Sequence, residues 1–231
     1  MVYRLSPQLV KLTPSTTRSP VLYSMKQKAI LVTGGAGYIG SHTVRSLREA
    51  GRDVVVFDSL ELGRREAVID APIVVGDIRD NDLVTATCNE HGITQLVHFA
   101  AYKAVGESMD LPSKYWRNNV AGTVELVEGC LAAGVRDIVF SSSCSVNGTP
   151  ASVPVTEDQP IAPESVYAES KAMVEKILYW YGQTSGMRSV SLRYFNAAGA
   201  HPDGSLGESH TPETHLIPNA LKSAAGIGTP M

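Results

Sequence analysis

Short apolar runs recur along the chain at 29–32 (Ala-Ile-Leu-Val), 54–57 (Val-Val-Val-Phe), 73–75 (Ile-Val-Val), 96–99 (Leu-Val-His-Phe), 138–140 (Ile-Val-Phe) and 190–192 (Val-Ser-Leu). They are too short for helices and rich in β-branched residues. Being continuous rather than alternating, they predict strands buried on both faces of a parallel sheet. Segments of helical length lie between them. Ser41 to Ala50 stops at Gly51, Asp82 to His91 at Gly92, Asn119 to Ala133 at Gly134, and Tyr167 to Thr184 ahead of Gly186. Glycine just past a helix readily takes the left-handed conformation that ends it. Strand and helix alternating in this way predict an α/β fold, a Rossmann-like doubly wound parallel sheet.

The alternation ends at Asn196. Ala197 to His215 is rich in Gly, Pro, His and Glu and reads as a long loop. Long loops beyond the carboxyl ends of parallel strands tend to carry function. A short amphipathic helix over about Ile217 to Ala225 is expected after it. At the other end, residues 1–24 hold Arg4, Lys11 and Arg18, many Ser and Thr, and no acid. That is the bias of an organellar transit peptide. Met25 just ahead of the first strand favours an over-extended reading frame or a disordered tail instead. The expected organisation is a leader over 1–24, a nucleotide-binding domain over 25–196, and an incomplete substrate-binding part over 197–231.

Composition narrows this picture. A chain of 231 residues, 43% apolar, can bury one sizeable core. A net charge of −3 without a basic block gives no electrostatic reason to expect nucleic acid or an anionic membrane as partner. No apolar run approaches the length of a membrane span. Cys88, Cys130 and Cys144 are widely spaced and odd in number, which fits a reducing, cytoplasmic setting better than a disulfide framework.

Two stretches carry chemistry. Thr33-Gly34-Gly35-Ala36-Gly37-Tyr38-Ile39-Gly40 joins the first strand to the first helix. Glycines at Gly34, Gly37 and Gly40 allow a tight turn, close approach of a pyrophosphate to backbone amides, and close helix–strand packing. Asp58 ends the second strand, where a carboxylate accepts both ribose hydroxyls and repels a 2′-phosphate, selecting NAD over NADP. Asp77, closing the third strand, is a weaker candidate for the adenine amino group. In the second stretch, Tyr167-Ala168-Glu169-Ser170-Lys171, the phenol and the ammonium share a helix face. A nearby ammonium favours the phenolate and makes Tyr167 a usable acid or base. Ser141-Ser142-Ser143 ends the preceding strand on the ligand edge of the sheet, so Ser143 can meet the same substrate oxygen.

Together with these, His-Phe-Ala-Ala-Tyr-Lys-Ala-Val-Gly-Glu-Ser (98–108), Asn-Asn-Val-Ala-Gly-Thr (118–123), Phe-Ser-Ser-Ser (140–143) and Leu-Arg-Tyr-Phe-Asn-Ala-Ala-Gly-Ala (192–200) follow in order. From Met25 to about Gly226 the chain closely resembles the UDP-glucose 4-epimerase family, extended short-chain dehydrogenase/reductases. The resemblance implies that Tyr38 and Ile39 lie over the pyrophosphate and that Asp77 and Ile78 flank the adenine. It implies that Phe99, Ala100 and Lys103 line the NAD, with Asn119 close by. Ser143 and Tyr167 would face the sugar C4 oxygen and Lys171 the nicotinamide ribose. Phe195 and Asn196 would touch the nicotinamide side and the substrate diphosphate, and His215 and Leu216 the uridine. Lys103 would also reach substrate. A homodimer through the helices at 119–133 and 167–184 is implied in the same way.

Three departures stand out. Val146-Asn147-Gly148 replaces the family's Val-Tyr-Gly, and Cys144-Ser145 replaces its Ala-Thr. The chain also stops before the segment that in this family supplies a last strand, an Arg on the nucleotide and the wall beside the sugar. The resemblance therefore implies NAD-dependent epimerisation of a UDP-sugar at C4 through a 4-keto intermediate. The alternatives are a non-catalytic NAD-binding fragment, or a related dehydratase or decarboxylase; a dehydratase would want Asp-Glu where Cys144-Ser145 stands. The remaining candidates read as structural. Cys144 is a small semi-buried thiol, His98 a core residue, and the spacing of His201, His210 and His215 resembles no metal site, so no metal is expected.

Overall fold

The computed structural model describes residues 28–210, 213 and 215–227; the leader over 1–24 lies outside the described residues. Its strands are β1 (Ala29–Thr33), β2 (Val54–Asp58), β3 (Ile73–Val75), β4 (Ile93–His98), β5 (Asp137–Ser143) and β6 (Arg188–Tyr194). Its helices are α1 (Tyr38–Glu49), α2 (Asn81–His91), α3 (Val105–Asp110), α4 (Pro112–Tyr115), α5 (Gly122–Ala132), α6 (Val166–Ser185) and α7 (Leu216–Ala224). The strands form one sheet in the order β3-β2-β1-β4-β5-β6, every pair parallel. The order reverses between β1 and β4. In a doubly wound sheet that reversal opens a crevice at the carboxyl ends of the strands, which is where ligands bind.

Side chains alternate between the two faces of this sheet. Leu31, Phe57, Leu96 and Phe140 pack on Val84 of α2, Leu126 of α5, and Val174 and Leu178 of α6. Ile30, Val32, Val54 and Val56 pack on Val44 of α1. β1 and β2 are buried along their whole length, as their apolar runs predict. β6 is not. Arg193 faces α6, which turns Val190 and Leu192 to the opposite face, where they are 56% and 39% exposed. The expectation of burial on both faces therefore fails at this edge strand.

Helix boundaries follow local chemistry. Asp80 caps α2 by accepting the Leu83 amide, Ser165 caps α6 by accepting the Ala168 amide, and Gly92 and Gly186 end these helices in the left-handed region. α1 starts at Tyr38 rather than Ser41, because Gly40 sits inside the helix as a packing residue. The helix expected over 119–133 is the distal part of a longer helical stretch. It begins at Pro112, a residue suited to the first helical position, and passes through a six-residue π-helical segment, Trp116–Ala121. No helix among the described residues is long and apolar enough to cross a membrane.

Candidate active site

The glycine turn is built by close approach. Gly34 adopts φ +70°, and a Cβ there would lie 2.6 Å from the Ala100 amide nitrogen, so β1 and β4 meet at a point only glycine fits. A Cβ on Gly40 would lie 2.1 Å from the Gly34 carbonyl oxygen, so α1 presses directly on the turn. No side chain caps α1 and no acid stands in its first turn, which leaves its amide end open to an anion. Asp58, only 7% exposed, accepts the Ala36 amide on one carboxylate oxygen and the Leu60 amide on the other, both at 2.9 Å. The carboxylate therefore shapes the turn as well as facing it. These features fit the phosphates and ribose of a dinucleotide.

Across the sheet, β5 delivers Ser143 and α6 delivers Tyr167 and Lys171. The Ser143 hydroxyl stands 2.8 Å from the Ser145 hydroxyl and accepts the Ser145 amide at 3.2 Å. The Tyr167 amide is held by the Ser108 hydroxyl of α3 at 3.1 Å. Lys171 is 4% exposed; its Nζ donates to the Ser141 carbonyl at 2.7 Å and lies 5.9 Å from the centre of the Tyr167 ring. The three residues thus converge, but the electrostatics differ from expectation. Burial pushes the Tyr167 phenol up, with Ser143 opposing it, and burial pulls the Lys171 ammonium down to about 7. The ammonium spends its hydrogen bond on Ser141 rather than on the phenol, so desolvation prevails over charge at Tyr167.

The other expected residues divide. Phe99 and Ala100 form the far wall of the glycine turn. The Asp77 carboxylate is held by the Arg79 side chain and amide, and Ile78 turns its side chain into the core against Gly122. Asn119, buried in the π-helical segment, exchanges two 2.9 Å hydrogen bonds with the Tyr102 backbone and donates to Ser170. Its amide is engaged as a brace between the 100–103 loop and α6. Phe195 is 68% exposed, and Asn196 and Leu216 are exposed as well. Asn147, in place of the family's Tyr, donates to the Gln159 and Pro160 carbonyls. His98 is a buried core residue, hydrogen-bonded to Thr33 at 2.7 Å and to Thr123 at 2.9 Å. Cys144 is half-buried and desolvation raises its thiol, so it is not activated.

Two groupings escape a reading by motif. Glu175, eight residues beyond Tyr167 on α6, accepts the Ser142 hydroxyl and both donors of the Arg193 fork, at 3.0 and 2.7 Å. It ties β5, β6 and α6 together one residue from Ser143. In the loop after β6, Glu208, His210, Glu213 and His215 converge, and Lys103 Nζ meets His210 Nε2 at 2.9 Å. The histidine spacing alone does not disclose the two glutamates, which the fold of the loop brings beside them.

Fold and site together define a doubly wound α/β protein with Ser143, Tyr167 and Lys171 grouped at the carboxyl ends of its strands, across from the glycine turn. The chain belongs to the NAD dependent epimerase/dehydratase family, which it matches over residues 30–227. It is 50% identical over 196 residues to the UDP-glucose 4-epimerase of Lactobacillus helveticus, covering 84% of this chain and 59% of that protein. It is 48% identical over 198 residues to that of Halalkalibacterium halodurans, covering 86% and 59%. The crystal structure of UDP-glucose 4-epimerase from Brucella ovis in complex with NAD superposes with a TM-score of 0.84 at 44% identity, over 86% of this chain and 61% of that one. The Bifidobacterium longum enzyme in complex with NAD+ and UDP gives 0.82 at 36%, over 86% and 63%. The chain thus spans about three fifths of the length of the relatives it matches.

Proposed function

We propose that the chain is the NAD-binding and proton-transfer part of an enzyme that epimerises a UDP-hexose at C4. The observation that carries this reading is the convergence of Ser143, Tyr167 and Lys171 at the carboxyl ends of the strands, across from an uncapped glycine turn closed by Asp58. Residues 25–196 hold the cofactor: the turn from Gly34 to Gly40 takes the pyrophosphate, Asp58 the ribose, and Lys171 the nicotinamide ribose. Residues 197–231 begin the substrate side. NAD bound here supplies reversible uptake of hydride from the sugar.

The chain's own residues move the proton. Ser143 hydrogen-bonds the C4 oxygen and sets its distance to Tyr167. Tyr167 takes the hydroxyl proton as the 4-keto sugar forms and returns it after the sugar has turned over. A charged Lys171 stabilises the phenolate, and with its ammonium titrating at about 7 it can be charged near neutrality. A homodimer through α5 and α6 accords with exposed Met173 and Trp180 and with a hollow of about 420 Å³ between Trp116, Val120, Ala121, Glu169 and Met173. The three free thiols accord with a cytoplasmic location. Calorimetry tests the cofactor half of the reading: NAD should bind more tightly than NADP, and Asp58→Ala should weaken NAD more than NADP. Equal affinity for the two cofactors would overturn the ribose assignment.

A further inference from the structure

We propose that Glu208, His210, Glu213 and His215 form a site for one divalent transition-metal ion of the zinc class, fastening the loop after β6 beside the glycine turn. Each side chain offers one ligand atom, and these atoms all lie within 4.8 Å of one another. His210 Nδ1 is 3.3 Å from Glu208 Oε1 and 3.7 Å from Glu213 Oε2. His215 Nδ1 is 3.0 Å from Glu208 Oε1 and 2.8 Å from Glu213 Oε1. Ligands about 2.1 Å from a tetrahedral zinc ion stand roughly 3.4 Å apart, in the middle of these separations.

Two further observations point to a cation. His210 Nδ1 has no accessible surface and no hydrogen-bond partner, yet faces both carboxylates. The Glu208 and Glu213 side chains are only 10% and 5% exposed, and buried carboxylates require a compensating positive charge. Two imidazoles and two carboxylates, without a thiolate, suit zinc or cobalt rather than calcium or magnesium.

Protons compete for the same space. A proton on His215 Nδ1 would lie between the same two carboxylates that the ion would bridge. With Nδ1 of His210 on the metal, its Nε2–H must donate to a neutral Lys103 amine or Lys103 must withdraw. Ligand atoms bind a metal only in their unprotonated form, so metal binding should release protons. The anchoring has a clear geometry: the loop meets α1 through the Tyr38 hydroxyl, which donates to the Gly199 carbonyl at 2.6 Å, and meets Lys103 through His210. The site stands whether or not the chain turns over a nucleotide sugar.

The test uses the full 231-residue chain, stripped with a chelator and titrated with Zn²⁺ and, separately, with Co²⁺ as an optical probe. The expected result is one ion per chain, proton release seen as a dependence of binding heat on buffer, and a tetrahedral cobalt spectrum without thiolate charge transfer. His210→Ala and Glu213→Gln should each weaken zinc by about a hundredfold, while His201→Ala retains it. Circular dichroism and NAD titration report whether each variant has folded, and Glu208→Gln provides a second probe of the same site if His210→Ala has not. No saturable binding, undiminished affinity in the folded variants, or a thiolate band placing the ion on Cys144 would overturn the proposal.

Discussion

Replacing Asp58 by Ala removes the acceptor from two main-chain amides at once, those of Ala36 and Leu60, both held at 2.9 Å. Leaving a buried donor unsatisfied costs about 1–3 kcal/mol. The Ala36 bond is buried and the Leu60 bond partly so, which lets water rescue the second more than the first. The expected loss is therefore roughly 2–4 kcal/mol. In a domain of this size that corresponds to a fall in melting temperature of about 4–16 °C. Asp58→Asn keeps one carbonyl oxygen but sets an NH₂ donor against the other amide, so about 1–2 kcal/mol should be lost. The assay is urea unfolding of the parent and both variants without cofactor, read at an unchanged slope so that the midpoint reports stability. If Asp58→Ala unfolds within about 0.5 kcal/mol of the parent, the carboxylate does not brace the turn and the reasoning fails.

Gly40→Ala places a Cβ 2.1 Å from the Gly34 carbonyl and must push α1 off the turn; it should cost about 1–3 kcal/mol and abolish stabilisation by NAD, and a retained NAD-dependent thermal shift would contradict this. Lys171, with its ammonium held down to about 7 against about 10.4 in the unfolded chain, leaves the unfolded state binding more protons between those values. Its penalty is therefore fully present below pH 7 and relieved as pH rises towards 10. Urea midpoints of the parent should climb relative to Lys171→Met over pH 7 to 9.5, and parallel profiles would refute the burial argument. Glu175→Ala strands the Arg193 guanidinium and frees Ser142, so unfolding should show a loss of about 2–3 kcal/mol; a loss below 0.5 kcal/mol, about the size of an ordinary surface change, would show that Glu175 does not brace β5 and β6.

Much of the fold was legible in the chain because its strongest signals are local. The runs at 29–32 and 54–57 are apolar throughout, and both are buried strands on both faces. Gly92 and Gly186 end their helices as their positions suggest. What escaped depends on partners distant in sequence. Val190 and Leu192 read like any buried strand, yet β6 is an edge strand with one face open, and at the other edge Val75 of β3 is 48% exposed. The sequence places a helix start at Asn119, whereas Asn119 lies inside a π-helical segment, from which its amide reaches Tyr102. The Tyr167–Lys171 pair was visible by spacing. Its titration was not, since that depends on how completely β5 and α6 bury the ammonium.

The central claim, that Ser143, Tyr167 and Lys171 form a proton-transfer centre for a UDP-hexose, is tested most directly by proton NMR of UDP-galactose with the purified 231-residue chain and NAD. Parallel samples carry Tyr167→Phe, whose NAD binding is checked first. The account predicts that UDP-glucose appears at C4 equilibrium, slowly beside the longer relatives because remote contacts to the nucleotide sharpen turnover. Tyr167→Phe should be slower by about 10²- to 10⁴-fold. Equal rates in the two proteins, or no conversion by the parent with NAD bound, would contradict it.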